Sequence, residues 1–168
     1  MTKLRSTIDP GSEGYAANRV ALLEAIDSLN DEHASALAGG GERYVTRHHD
    51  RGKLLGRERV ELLLDDGAPF LELCGLAGWG SEFTVGAAVI AGIGVVSGVE
   101  CMILANDPTI RGGSMNPWSL RKILRAFDIS RANRLPFINL TESGGADLPT
   151  QKEIFIPGGA VFRNLTRL

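Results

Sequence analysis

The order of apolar patterns along the sequence predicts an α/β layered unit with a crossover helix, preceded by a helical arm. Three observations carry this expectation. From Phe70, the stretches "FLELCGLAG" and "VGAAVIAGIGVVSGVECMILAND" are rich in Val and Ile and punctuated by glycine, the texture of strands. "NPWSLRKILRAFDISRANRLP" then places Leu120, Ile123, Leu124 and Phe127 at helical spacing, with Pro117 in the first-turn position that tolerates proline. Pro136 opens a further apolar stretch, "PFINLTESGG", a short strand that runs into two glycines.

The elements follow in chain order. Residues 1 to 15 read as a loose lead-in, because Pro10, Gly11 and Gly14 discourage regular structure. From about Ala16 a helix is expected, since Leu22, Ile26, Leu29 and Leu37 recur at helical spacing and Gly39, Gly40 and Gly41 stop the pattern. A short helix covers about Arg57 to Leu64, with Val60, Leu63 and Leu64 on one face and Gly67 just past its end. Residues 1–66 are accordingly assigned to the helical arm and 67–168 to the α/β unit. Ser97-Gly98, between two apolar runs, is expected as a tight hairpin turn.

Composition narrows the functional classes. With 43% hydrophobic and 23% charged residues, the 168-residue chain has the make-up of a globular domain, which argues against global disorder. A formal net charge of -2 leaves no basic footprint for nucleic acid. Cys74 and Cys101 stand alone without CxxC spacing, so they read as buried apolar thiols in a reducing cytoplasm. The N-terminus has no signal-peptide core, and no apolar run approaches the roughly 20 residues that a bilayer crossing needs. A cytoplasmic protein with no membrane partner is expected.

Two stretches carry chemistry. Arg43, Arg47, Arg51, Lys53, Arg57 and Arg59 gather at and before a helix N-terminus, where the dipole favours acids. They are either solvated and balanced by Glu58, Glu61, Asp65 and Asp66, or they hold an anion. His48 and His49 are adjacent and cannot both face one metal from a helix, so no metal site is expected. His33 is a helix-face residue with no partner motif.

The second stretch is the turn Ser143-Gly144-Gly145-Ala146, between a strand and a possible helix. The first amides of a helix have no intrahelical acceptors, and glycine lets a ligand oxygen approach the main chain without meeting a Cβ. Such a turn can bind an oxyanion; a plain connecting turn is the alternative. Ser143 is no nucleophile elbow, because Thr141 stands where the first glycine of GxSxG belongs. "GIGVVSG" is no dinucleotide fingerprint, because Ser97 replaces its last glycine.

Taken together, "RHHDRGKLLGRERVELLLDDGAPFLEL", "GIGVVSGVECMILANDPTIRGGSMNPWSLRK" and "NRLPFINLTESGGADLPTQ" resemble one family. It is the carboxyltransferase (β) subunits of biotin-dependent acyl-CoA carboxylases, which include the propionyl-CoA and methylcrotonoyl-CoA enzymes. The resemblance covers most of Arg47 to Gln151 in the family's order. It implies a crotonase-like fold, a spiral of β-β-α units, of which this sequence matches the N-terminal part. It also implies transfer of a carboxyl group from carboxybiotin, held on a partner's carrier domain, to an acyl-CoA through an enolate.

By that resemblance Gly144 and Gly145 are the catalytic positions, their amides holding the enolate oxygen, with Ser143 and Ala146 beside the acyl-CoA. The biotin ureido group serves as the base, so Glu142 and Asp147 need no catalytic role. The basic stretch gains a candidate ligand in the CoA phosphates, with Arg47, Lys53, Arg57 and Arg111 as candidate contacts. "Gly-Gly-Ala-Asp-Leu-Pro" is closer to the methylcrotonoyl-type pattern than to the propionyl-type, which carries arginine after the alanine; the acyl group stays open.

Implied partners are a biotin carboxylase and biotin carrier subunit and further copies in a homo-oligomer. A second crotonase-like domain from a neighbouring protomer supplies the biotin pocket in this family. Its absence here leads to the expectation of exposed apolar faces such as that of "VFRNL". Two other readings are a non-catalytic piece that binds CoA thioesters or docks on longer subunits, and a stand-alone crotonase-type hydratase.

Overall fold

The computed structural model describes residues 5–167; the first four residues of the expected lead-in lie outside them. Helix α1 (Glu13–Leu37) starts where Ser12 Oγ accepts from the Tyr15 amide at 3.2 Å. Its helical spacing is as expected, yet Ala36 is its one buried residue, and Leu22, Ile26, Leu29 and Leu37 remain exposed. Helix α2 (Glu42–His49) follows the glycines and was not expected. Its sequence, ERYVTRHH, offers almost no apolar period to read. Helix α3 (Gly56–Leu63) matches the second expected helix, and Glu58 accepts from the Leu55 amide at 2.7 Å across its first turn.

Strand β1 (Phe70–Glu72) is much shorter than the β texture of "FLELCGLAG" suggests. Cys74 takes a left-handed backbone (φ 53), which ends the extended run. The same turn brings Cys74 to the surface, correcting the expectation of two buried thiols; only Cys101 is buried. Before strand β2 (Val89–Val96), Gly86, Ala87 and Ala88 all have positive φ, at 90, 58 and 58°. Strand β3 (Val99–Asn106) pairs with β2 through the hairpin expected at Ser97-Gly98. Both turn residues are left-handed (φ 52 and 76°), as a two-residue hairpin requires, and the Asp65 carboxylate accepts their amides at 2.6 and 2.7 Å.

The crossover is helix α4 (Pro117–Asn133). Asn116 Oδ1 accepts from the Trp118 and Ser119 amides, Ser119 Oγ accepts from the Asn116 amide, and Pro117 fills the first turn. Strand β4 (Phe137–Leu140) then lies parallel to β3, so the sheet reads β1-β2-β3-β4 with its first two pairings antiparallel. This is the expected α/β unit, in β-β-α order.

Period-2 alternation splits the core between the two faces of the sheet. On one face Val89, Ala91, Met102 and Leu104 meet Ile123, Ala126 and Phe127 of α4. On the other Ile90, Cys101, Ile103 and Ala105 meet Val60 of α3. Phe127 and Phe137 stack with ring centroids 4.7 Å apart, pinning α4 to β4. Helix α5 (Gln151–Leu165) closes the chain against α4 but leaves Phe155, Ile156, Phe162 and Leu165 exposed, as expected of the "VFRNL" face. No helix among the described residues is long and apolar enough to cross a membrane.

Candidate functional site

Because β3 and β4 are parallel, the loops leaving them emerge at the same end of the sheet, the usual place for a ligand in an α/β unit. The Arg111–Met115 loop and the Thr141–Asp147 turn run side by side there. The Gly144 amide donates to Gly112 O at 2.8 Å, Met115 N donates to Gly145 O at 2.8 Å, and Asp147 N donates to Met115 O at 2.8 Å. Ser143 Oγ donates to Gly113 O at 2.7 Å.

Glycine is needed at two positions of this pair. A Cβ on Gly113 would collide with the Glu142 carbonyl, so the loops approach this closely only without one. Gly145 has φ +99°, which L side chains rarely adopt, and its would-be Cβ meets open space. Gly145 donates its amide to Ser143 Oγ at 3.1 Å. Both amides singled out from the sequence therefore have protein acceptors: Gly144 a carbonyl of the neighbouring loop, Gly145 a hydroxyl two residues away.

Two cavities adjoin these loops. One, of about 420 Å³, is lined by Tyr44, Arg47, His48 and Arg51 from α2 and its end, and by Thr109, Arg111 and Gly112 from the β3 loop. Arg47 and Arg51 have no carboxylate within 4.0 Å among the described residues. Arg111 reaches Asp147 at 3.3 Å with its side chain 62% exposed, so that pair is weak and water-screened. The second cavity, of about 230 Å³, lies between the sheet and helices α4 and α5. Its lining is mostly apolar, with Leu104, Met115, Phe127 and Phe137 among it, and Asn106, Asn139, Thr141, Ser143 and Gly145 line it as well.

The structure divides the basic stretch. Arg47 and Arg111 share the first cavity, joined by Tyr44 and Arg51. Tyr44 had no signal in the sequence, and Arg51 was one basic residue among six. Lys53 instead binds Glu142 at 2.7 Å, and Arg57 makes a two-pronged bond to Glu72 at 2.7 and 3.0 Å. Arg59 reaches Asn106 O at 3.1 Å and Glu142 at 3.8 Å, while its Nε is buried without a partner.

Glu142 therefore stands among three basic side chains, with His48 at 4.0 Å. The Lys53 hydrogen bond holds its carboxyl below the usual carboxylate range. His48 is buried and its Nε2 lies 3.2 Å from Leu54 O, while His49 pairs with Glu58 at 2.9 Å. No metal-ligand cluster is found among the described residues. Ala146 bridges to Met115 in the parallel sense.

A second charged cluster lies beside α4. Lys122 is 3% exposed, and its Nζ donates to Gly86 O at 3.5 Å, a weak bond. Burial pulls its amine down to about 8, against the attraction of Glu72. Burial pushes the Glu72 carboxyl up, but the Arg57 bond and charge outweigh it and the carboxyl lies below its ordinary value. His33 also faces this cluster, lining a cavity with Arg57, Glu72 and Gly75.

Fold and site together define an α/β domain with an arginine-lined cavity on the Gly112 loop and an apolar cavity on the glycine turn bonded to that loop. The sequence model of the carboxyl transferase domain family matches residues 47–168. The chain is 61% identical to the probable biotin-dependent acyl-coenzyme A carboxylase beta2 subunit of Mycobacterium tuberculosis, over 98% of this chain and 31% of that protein. It superposes on the geranyl-CoA carboxylase beta subunit of P. aeruginosa with a TM-score of 0.89 at 41% identity, covering 98% of this chain and 31% of that one. Transcarboxylase 12S, solved with methylmalonyl-coenzyme A bound, gives a TM-score of 0.77 at 25% identity over 84% of this chain and 29% of its own. The chain belongs to the carboxyl transferase domain family. It spans about a third of the length of the relatives it matches.

Proposed function

We propose that this chain forms the acyl-CoA half of a biotin-dependent carboxyltransferase. The observation that supports it is the placement of two unlike cavities on a pair of mutually bonded loops: a cationic one at Gly112 that suits phosphates and an apolar one at Gly145 that suits an acyl chain. A CoA thioester carries both chemistries, with its carbonyl between them.

In this reading Arg47, Arg51 and Arg111 meet the CoA phosphates. Lys53 and Arg57, held by Glu142 and Glu72, lie outside the lining of that cavity. The thioester oxygen takes the place of Ser143 Oγ as acceptor of the Gly145 amide, and the Gly144 amide turns to it from Gly112 O. Charge grows on that oxygen when a proton leaves the adjacent carbon, so donors aimed at it act chiefly on the transition state. Losing one such donor costs about 3 kcal/mol of barrier. Carboxybiotin, when present on a partner carrier, supplies the carboxyl group. The donor set of this chain, arginines and glycine amides, fits the CoA thioester, and no residue here is assigned to biotin.

A second reading, thioester binding without turnover, is favoured by the engagement of the Gly144 amide with Gly112 O. A hydratase would need a carboxylate against the acyl chain, and the apolar cavity has none among its described lining residues. Thermal melting of the chain with CoA and with propionyl- and methylcrotonoyl-CoA tests the binding that both leading readings share. A melt raised by CoA and raised further by one thioester is the expected result; a melt indifferent to all three overturns them. Gly145→Val, in a carboxyltransferase completed by the second domain, then separates the two. Lost turnover with CoA affinity kept supports the oxyanion role, and equal losses of rate and affinity mean that the turn only shapes the pocket.

A further inference from the structure

The glycine turn is held to the Gly112–Gly113 loop by a side chain from neither. Asn106, the last residue of β3, is 4% exposed and sits behind both. Its Oδ1 accepts from the Glu142 amide at 3.3 Å, and its Nδ2 donates to Gly113 O at 3.4 Å. The two bonds run in opposite senses, one to an amide of the turn and one to a carbonyl of the loop. A carboxamide satisfies both at once, and neither a carboxylate nor a hydrocarbon does.

The backbone of Asn106 is fixed in turn. Its strand pairs with Val89, and its carbonyl accepts from Arg59. The side chain also lines the apolar cavity together with Ser143 and Gly145. Gly113 O is shared, because Ser143 Oγ donates to it as well. The acceptor that anchors Asn106 thus also orients the hydroxyl that receives the Gly145 amide.

We infer that Asn106 is a positioning residue for the oxyanion site: its carboxamide fixes the spacing between the Glu142–Gly145 turn and the Gly112–Gly113 loop, and so aims the Gly145 amide at a thioester oxygen. This rests on the acyl-CoA reading above. Both bonds are long, so each is individually weak and the pair acts as a spacer more than as a source of stability. A site loosened by a fraction of an ångström keeps its ligand but loses the polarisation of the carbonyl.

The test uses the 168-residue chain, CoA, and propionyl-CoA labelled with carbon-13 at the thioester carbonyl. Dissociation constants and the infrared carbonyl stretch of the bound thioester are compared for wild type, Asn106→Leu and the shape-retaining Asn106→Asp. In wild type the bound carbonyl is expected to stretch at lower frequency than in water, the signature of aimed donors. Asn106→Leu is expected to abolish that downshift and to weaken thioester binding by about tenfold, with CoA affinity unchanged. Asn106→Asp keeps the acceptor for the Glu142 amide and repels Gly113 O, so a partial loss of the shift is expected.

A downshift that survives in a folded Asn106→Leu chain, or in Asn106→Asp should the leucine variant fail to fold, overturns the positioning role while the acyl-CoA reading stands. Equal weakening of CoA and thioester also overturns it, because that marks a merely structural residue. Failure of wild type to bind CoA at all sinks the acyl-CoA reading and this inference with it.

Discussion

Two glutamates of this chain sit among basic side chains, and the burial of one partner makes them do different things. Glu142 meets Lys53, whose side chain is 53% exposed, with Arg59 and His48 farther off. Water screens that cluster, and its effect is to fix where the chain enters the glycine turn. Glu72 faces Arg57 and the almost wholly buried Lys122, whose one hydrogen bond among the described residues is the long contact to Gly86 O. There Lys122 has given up its hydration while Arg57 and Glu72 keep part of theirs, and removing the carboxylate leaves a buried ammonium without its counter-charge. The same residue types thus serve geometry in one place and stability in the other.

The sharpest way to break the comparison is Glu72→Leu. It leaves Arg57 and Lys122 without their carboxylate and should lower unfolding stability by about 3 kcal/mol in urea titration. Next in size is the behaviour of Lys122 itself. Its folded-state amine titrates at about 8, against 10.5 as the ordinary value, so between those pH values the unfolded chain binds more protons. Stability should therefore rise as pH climbs from about 8 toward 10.5, by roughly 3 kcal/mol in the limit. Lys122→Met should raise stability at neutral pH and flatten that rise, and a slope unchanged in the variant would assign it to another group.

On the acid side, Glu58, Glu72 and Glu142 all lie below their ordinary value of 4.5. Their contribution is fully present above pH 4.5 and should fall away as pH drops through their lowered folded values, which melts in a pH series would record. The smallest effect belongs to the exposed cluster. Lys53→Ala should cost under about 1 kcal/mol and lose most of that in 1 M salt, whereas the Glu72→Leu loss should persist.

The sequence displayed what is local. The Val- and Ile-rich, glycine-punctuated texture of β2 and β3, the 3.6-residue spacing of α4 with Pro117 in its first turn, and the Ser97-Gly98 hairpin all depend on neighbours within a few positions, and all were legible. Helix α2 was not, because its residues carry charge in place of an apolar period. The length of β1 was not, because it turns on one left-handed residue, Cys74. In the candidate site, the glycine turn and its basic companions could be picked out by residue type. Which cation meets which carboxylate could not: Lys53 and Glu142 lie 89 positions apart, and only the sheet brings them together. Asn106 gave no signal at all, since its role consists of two backbone partners set by parallel pairing.

The turn that cuts β1 short also gives the chain a built-in reporter. Of its two cysteines, Cys74 is exposed and Cys101 is buried in the sheet. A maleimide dye should therefore label the folded molecule once, two residues from Glu72, and a second time only when the sheet opens. The ratio of dye to protein then counts opened molecules directly, and the fluorescence of the first dye follows the buried charges from beside them.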